Sequence, residues 1–527
     1  MLRRRKDVGA SQSEAKTNSL KYASSPLNIA IKLKYLFLAV LVIRLFNAFT
    51  IRTFFQPDEY YQVLEPAHNF VYGYGYMTWE WKQRLRSSIG PMIYAIGYEI
   101  SKVLGGNVHL VLVIPKIISA IIASISEVMF YKFVVIYTGD TQLALIALGL
   151  SILNPFNWYI YTRSFSNCLE TMLTMCAFRY WPWNHVIDGQ FYTSLVFAYL
   201  SCIVRPTNGL IWITLGINLL IHTKTSKIKL IVHCIIEFVV TLLINGGLDY
   251  WFYQQLTFPL YNFFEFNYIK NLSIFYGTAP WHFYLFQAVP LFLMTYLPFF
   301  LHSIYSNHTD ILVYTCMFVI FGFSTVSHKE FRFIFPLMPI FLLFTAKSIQ
   351  KLYLKKSIKS ILIAIVLINI SIGYFFTRIN EKGVIDVIDY LRDDPTVELF
   401  GFLTPCHSTP WQSYLHNPKF ESSWALTCEP PLHLSSGNLE SMKLYKDESD
   451  IFFSDEAIFL NTNLPPFDSN KLTKYKWPTH LIIFQPLEDV MDEYLEKSPY
   501  RKCKRFFNSY FHWDSRRTGD IIVYCKQ

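Results

Sequence analysis

The sequence predicts a polytopic α-helical membrane protein with a small C-terminal α/β domain. Three observations lead there. Of 527 residues, 52% are hydrophobic and 18% aromatic, with 46 Phe, 35 Tyr and 12 Trp, while only 16% are charged; soluble domains carry roughly a quarter. Apolar runs of bilayer-crossing length recur from residue 33 to residue 376. Mean hydropathy is nevertheless only +0.26, so a sizeable polar portion dilutes the spans. The same composition excludes disorder, collagen, a coiled coil and a small disulfide scaffold. Lys and Arg number 47 against 38 Asp and Glu, a net +9. No basic stripe lies outside the membrane flanks, which argues against nucleic-acid binding.

Residues 1–31 are polar and basic, with Arg3, Arg4, Arg5, Lys6, Lys16 and Lys21, and read as a disordered cytosolic tail. The apolar run 33–51 lacks a small-residue cleavage site and outlasts a signal-peptide core, so it is expected to be a retained signal-anchor helix. Arg44 and Asn47 interrupt it, which turns one face toward protein rather than lipid. Further spans are expected near 91–105, 108–136, 141–161, 165–180, 187–204, 207–221, 228–248, 283–302, 310–327, 331–347 and 358–376. Together they define a membrane domain over 32–376.

The tail 377–527 is long enough to bury its own core. It offers β-like stretches at Leu399–Leu403, Leu481–Phe484 and Ile521–Tyr524, and an acidic helical stretch at Glu488–Lys497. Lys351, Lys355, Lys356 and Lys359 in the loop 349–359, with Lys224, Lys227 and Lys229, mark cytosolic turns. That orientation puts 52–90, 249–282, the turn at His328 and the tail on the exoplasmic side. Between 91 and 205 the span count misses the required parity. Either 108–136 hides two short spans or one segment is re-entrant, and both stay open.

Cys168, Cys176, Cys202, Cys234 and Cys316 lie in apolar runs and pack as small hydrophobes. Cys406, Cys428, Cys503 and Cys525 fall in the tail, where an oxidising lumen would allow disulfides in any of three pairings. No metal-type C-x-x-C spacing occurs.

The segment Pro57-Asp58-Glu59 follows the first helix directly, and Pro57 suits the opening turn of another. On an α-helix, Asp58, Gln62, Glu65 and Asn69 would share one face. Carboxylates desolvated at the membrane surface gain basicity suited to general-base work; the alternative is that Asp58 and Glu59 only complement the helix dipole. Farther along, Thr78-Trp79-Glu80-Trp81 precedes Arg84 and Arg86. The tryptophans suit an interface belt. The arginines either grip a phosphate bidentately or snorkel to headgroups.

Ser327-His328-Lys329-Glu330-Phe331-Arg332 crowds ionisable residues into a tight exoplasmic turn, against the charge rule, which favours anion binding. Arg163, near Ser166 and Glu170, and Arg205-Pro206-Thr207 are weaker candidates, with a buried ion pair as their equal alternative. Aromatics of the loop 249–282 suit sugar stacking and membrane anchoring alike. The sequon at Asn271 is open to glycosylation if that loop is lumenal, while Asn307 lies in an expected cytosolic loop and stays bare.

Taken together, the Pro57-Asp58-Glu59 loop, Thr78-Trp79-Glu80-Trp81 with Arg84 and Arg86-Ser87, and His328-Lys329-Glu330-Phe331-Arg332-Phe333 resemble the dolichyl-phosphate-mannose-dependent mannosyltransferases of the endoplasmic reticulum. These belong to glycosyltransferase family 22, of the GT-C fold. Within that family, Pro405-Cys406-His407-Ser408-Thr409-Pro410 and Phe506-Phe507-Asn508-Ser509-Tyr510-Phe511-His512-Trp513-Asp514 are similar to the branch that adds the third mannose of the glycosylphosphatidylinositol (GPI) anchor precursor. The likeness runs from about Arg52 to the C-terminus.

The resemblance implies α-1,2 transfer with inversion from a β-linked lipid donor. It implies a general base at Asp58, with Glu59 second. Arg84, Arg86, His328, Lys329 and Arg332 would hold donor phosphate, and Trp79, Glu80 and Gln62 would line the substrate site. The expected partners are dolichyl-phosphate-mannose, the GPI lipid intermediate and membrane lipids. A monophosphate leaving group carries less charge than a nucleotide diphosphate, so no cofactor or metal is expected. Gln56 stands where several relatives carry His or Asn, a change that keeps an amide. Two other readings remain: a related acceptor (the lipid-linked N-glycan precursor, or the fourth GPI mannose) and a polytopic transporter, against which the lack of an internal repeat speaks.

Overall fold

The computed structural model describes residues 32–353, 356–434, 441, 444–467 and 473–527. The basic segment 1–31 and Lys355 lie outside the described residues.

The chain begins with helix Leu33–Thr50. Its Leu36, Val40, Arg44 and Asn47 are buried on one stripe, while Tyr35, Leu38, Val42 and Phe46 are exposed. The polar interruption therefore marks the protein-facing side. Arg44 pairs with Glu127 of helix Val108–Thr138, both side chains sealed from solvent. Ser151 Oγ donates to the same carboxylate at 2.8 Å, and Arg44 Nη1 donates to Asn47 Oδ1 at 3.2 Å. A charge in a bundle interior survives only with such partners.

Among the described residues six helices are long and apolar enough to cross a membrane: Leu33–Thr50, Val108–Thr138, Lys227–Tyr253, Tyr284–Ser306, Phe331–Leu352 and Ile358–Asp393. Thr141–Leu153, Gly189–Val204 and Ile311–Thr325 are shorter and apolar. The open question at 108–136 resolves in favour of one continuous helix of 31 residues, not two short ones. The expected span 141–161 is divided instead: Asn154 ends one helix, and its side chain accepts from Asn157 N to start the short helix Pro155–Ile160. Phe331–Leu352 is the most enclosed of the spans. It opens as a tight 3₁₀ turn over Phe331–Leu337 before becoming α-helical at Met338.

The tail folds on a five-stranded sheet of order β2-β1-β3-β5-β4. The strands are β1 (Phe400–Phe402), β2 (Trp424–Ala425), β3 (His480–Phe484), β4 (Tyr500–Ser509) and β5 (Gly519–Lys526). β1 runs parallel to β2 and β3, whereas β5 is antiparallel to β3 and β4. Three strands fall on the expected β-like stretches, and the acidic stretch forms helix Glu488–Leu495. β2 and β4 were not expected. β4 is an edge strand with a run of exposed charge, Arg501-Lys502-Cys503-Lys504-Arg505, the kind of polar edge that blocks sheet-to-sheet aggregation. Disulfides join Cys406 to Cys428 and Cys503 to Cys525.

Tail, bundle and first loop meet at the end of the last span. Arg52 N donates to Thr377 O and Phe54 N to Glu381 O, each at 2.9 Å, and Glu381 N donates to Asn508 O at 2.9 Å. The loop that follows the first helix is therefore laced to both parts of the protein.

Candidate active site

The first loop is helical from Tyr60, but it starts as a π turn, Tyr60–Leu64, before the α-helix Glu65–Tyr72. Pro57 O accepts from both Tyr60 N and Tyr61 N. The wider turn breaks the expected single carboxylate face, because residues four apart no longer stack. Asp58 and Glu59 point to separate partners, and Glu65 to a third.

Asp58 Oδ2 lies 2.5 Å from Arg332 Nη2, and Arg332 also reaches Glu330 Oε2, its Nε donating at 2.7 Å. Glu330 in turn faces His328 Nε2 at 3.3 Å, and His328 Nδ1 sits 3.0 Å from Gly277 O. Burial opposes the charge on Glu330, but Arg332 and His328 outweigh it and hold the carboxyl well below its usual range. Burial likewise opposes charge on His328; the bond to Glu330 overcomes this and raises its pKa. The turn is thus a charged relay, His328–Glu330–Arg332–Asp58, with Arg332 Nη1 buried and unpartnered.

Arg86 forks onto Glu80, Nε to Oε2 at 2.9 Å and Nη2 to Oε1 at 2.8 Å. Its guanidinium feels the charges of Asp58 and Arg332, so the two ion pairs form one cluster. Arg86 also lines a narrow crevice of about 20 Å³ with Arg205, Thr207, Pro259 and Phe263. Arg205 Nε lies 3.5 Å from Glu170 Oε2, and its Nη1 donates to Ser166 Oγ at 3.2 Å. Arg86 and Arg205 thus line one crevice, and each feels the charge of Arg332.

The remaining expected residues go elsewhere. Glu59 pairs with Arg163 at 2.8 Å, both nearly sealed, and Arg163 also donates to Thr53 O and Tyr159 O. Arg163 thus takes the buried ion-pair alternative, with Glu59 as its partner. Lys329 donates its ammonium to the Ala279 and Val326 carbonyls. Arg84 takes a positive φ of 53° and lays its guanidinium against the Gln255 amide. Gln62 is buried with Oε1 unpartnered.

Trp79 and Trp81 are buried, not at an interface belt. Trp79 stacks on Tyr276 with centroids 5.9 Å apart, and Trp81 Nε1 donates to Tyr61 O at 3.0 Å. Their packing fixes the turn that carries Glu80 and Arg86. Asn271 opens the 3₁₀ turn Leu272–Tyr276, with Ser273 of its sequon buried. Among the described residues the one group with metal-ligand spacing is Cys406, His407 and Cys428, and both sulfurs there are spent in the disulfide.

Sequence reading underweighted two parts. Arg205 stood behind the first-loop arginines, although its neighbours Pro206 and Thr207 bend the chain back to the crevice. Glu330 was visible only as part of a motif, yet it bridges His328 to Arg332.

A bundle of spans under an α/β tail, with a carboxylate–arginine site on the first loop between them, is the architecture of a GT-C glycosyltransferase. ArnT from Cupriavidus metallidurans, in a crystal structure with undecaprenyl phosphate, shares the fold at a TM-score of 0.58 and 11% identity, over 93% of this chain and 97% of that one. Residues 35–416 match the Alg9-like mannosyltransferase family, and the chain belongs to that family. It is similar to a GPI mannosyltransferase 3 of Debaryomyces hansenii, 54% identical over 503 residues that cover 93% of this chain and 92% of the relative. A GPI mannosyltransferase 3 of Candida albicans is also 54% identical, over 492 residues, 93% and 98% of the two chains. The protein is a membrane glycosyltransferase that moves mannose.

Proposed function

We propose that the protein transfers mannose from dolichyl-phosphate-mannose, with inversion, to the 2-hydroxyl of the second mannose of the GPI-anchor precursor, on the lumenal side of the endoplasmic reticulum membrane. The observation that carries the reading is the first-loop carboxylate Asp58 paired with Arg332, which also bridges Glu330. The names of its relatives support the GPI acceptor. A cytosolic N-terminus, with 52–90 and 377–527 in the lumen, agrees with the basic loops and with two disulfides in the tail.

The chemistry follows from charge. As the acceptor oxygen attacks the anomeric carbon, the bond from that carbon to the phosphate oxygen breaks. The phosphate passes from one negative charge to two, and cations that meet the second charge stabilise the transition state more than the ground state. Arg86, Arg205 and Arg332 stand for that role. The hydroxyl proton goes to Asp58, which Arg332 holds; a donor phosphate that draws the guanidinium toward itself frees the carboxylate for the acceptor.

The test is transfer by purified enzyme to synthetic acceptors bearing one, two or three mannoses. Elongation of the two-mannose acceptor alone, by an α-1,2-linked residue, is expected. Preferred elongation of the three-mannose acceptor or of a lipid-linked N-glycan precursor would replace the acceptor assignment.

A further inference from the structure

A second cavity, of about 340 Å³, lies between the first loop and the tail sheet, in the size range of small-ligand sites. Tyr61 and Tyr76 form its loop side; His407, Gln412, Trp424 and Tyr475 form its tail side. The wall is built, not incidental. Trp424 stacks on Tyr475 with centroids 4.4 Å apart, and its Nε1 donates to Lys476 O at 3.0 Å. The indole lies so close over β1 that a Cβ on Gly401 would fall 2.5 Å from it, so only glycine lets the platform sit there. Tyr475 Oη donates to Glu448 at 2.6 Å, which fixes the second ring.

Polar groups face the same space. Gln412 is 1% exposed, its Oε1 accepts from Asn417 N, and its Nε2 has no partner. An amide nitrogen buried without an acceptor is costly, and Gln412 holds its place in the wall of the cleft. Glu421 adds a carboxylate at the rim. The His407 ring packs 4.5 Å from Tyr61, in a segment tied down by the Cys406–Cys428 bridge. Burial first, then Arg517, lowers the His407 pKa to about 4, while Asp58 opposes the shift. The imidazole is therefore neutral, able to donate and accept, and within electrostatic reach of Asp58.

Flat aromatic faces, a neutral imidazole and a carboxylate match the two sides of a pyranose, an apolar C–H face and a rim of hydroxyls. We propose that this cleft seats the mannose end of the acceptor glycan, with Tyr76 against its rings and His407 and Glu421 toward its hydroxyls, so that the acceptor hydroxyl reaches Asp58 past His407; Trp424, covered on one face by Tyr475 and on the other by Gly401, keeps the wall in place. The proposal rests on the mannosyl-transfer reading above and adds where the acceptor is gripped.

The test uses the full-length enzyme in detergent. Tyr76→Ala and Trp424→Ala are assayed with dolichyl-phosphate-mannose and the two-mannose acceptor, with Trp424→Phe as the conservative control. The expected result is an acceptor KM raised about tenfold, the scale of a lost stacking contact, with donor KM unchanged and Trp424→Phe close to wild type. Unchanged acceptor KM in Tyr76→Ala, or donor and acceptor KM rising together, overturns the cleft assignment. Should Trp424→Ala fail to fold, a soluble dimannoside titrated into wild-type enzyme still decides: saturable tryptophan quenching that Tyr76→Ala weakens supports the cleft, and none overturns it. Wild-type enzyme that binds the dimannoside there but transfers no mannose keeps the cleft and sinks the transfer reading instead.

Discussion

Arg332 Nη2 stands 2.5 Å from Asp58 Oδ2 and 2.6 Å from Glu330 Oε2, one guanidinium nitrogen between two carboxylates contributed by separate loops. Glu330 belongs to the same tight turn as Arg332 and keeps it oriented; Asp58 comes from the first loop. The pair thus joins the two motifs that lie farthest apart among the sequence-derived site residues, and it sets what each substitution should do.

Asp58→Asn keeps the size of the side chain and removes the proton acceptor. Transfer is expected to fall about 100- to 10,000-fold, the usual contribution of a general base, with protein amount and melting temperature unchanged. Near-normal turnover in membranes carrying this variant would rule Asp58 out.

Arg332→Ala should weaken donor use more than acceptor use, because a phosphate loses a forked partner whereas the acceptor loses nothing direct. Arg332→Lys keeps charge without the fork and should fall between. Equal changes in both KM values would indicate that the residue only holds the turn.

Glu59→Gln separates the two neighbouring acids. Arg163, buried against Glu59, would lose its counter-charge, at a cost of roughly 3–5 kcal/mol. A large drop in melting temperature is expected here and not for Asp58→Asn. A stable, fully folded Glu59→Gln enzyme without activity would move the base to Glu59.

Glu65 carries a pH dependence. It is fully buried, accepts from Ser413 N at 2.8 Å, and leaves Oε2 unpartnered. Burial raises its pKa to about 7, the Ser413 bonds opposing. The native state therefore binds a proton that the unfolded chain releases near pH 4.3. The resulting stability is fully present below that pH and is lost as pH rises through about 7. Glu65→Gln, neutral throughout, should melt at a temperature that changes less between pH 5 and pH 8. Parallel melting curves for the two proteins across that range would show that Glu65 does not control the loop–tail contact.

Non-reducing peptide mapping should recover Cys406 with Cys428 and Cys503 with Cys525. A Cys406→Ser, Cys428→Ser variant is expected to lose about 3 kcal/mol, and its acceptor affinity should fall because the His407 segment is no longer anchored. Recovery of a different pairing contradicts the tail fold.

What the sequence made legible was periodicity and composition. The buried stripe at Arg44 and Asn47, six of the twelve expected spans, and three of the five strands all follow from residue spacing, which encodes one-sided burial directly. Partner choice was not legible. Arg163 lies seven residues from Glu170 but pairs with Glu59, 104 positions away, because packing rather than proximity in the chain decides. Trp79 and Trp81 have the same composition in an interface belt as in a buried wedge, so only tertiary contacts separate the two. The π turn at Tyr60–Leu64 has no sequence signature, and it redirected Asp58 and Glu65 to different partners. β4 was hidden by its charge, since an edge strand need not alternate.

The Arg44–Glu127 pair has a consequence for how the chain is made. An arginine midway along a lone span costs roughly 2.5–3.5 kcal/mol to insert, and its counter-charge emerges from the ribosome 83 residues later. If that cost holds the first helix beside the translocon, it leaves only when Glu127 has been made. Glu127→Leu should prolong that stay, visible as persistent crosslinking of the first helix to the insertion machinery; release on the wild-type schedule would show that the helix enters lipid alone.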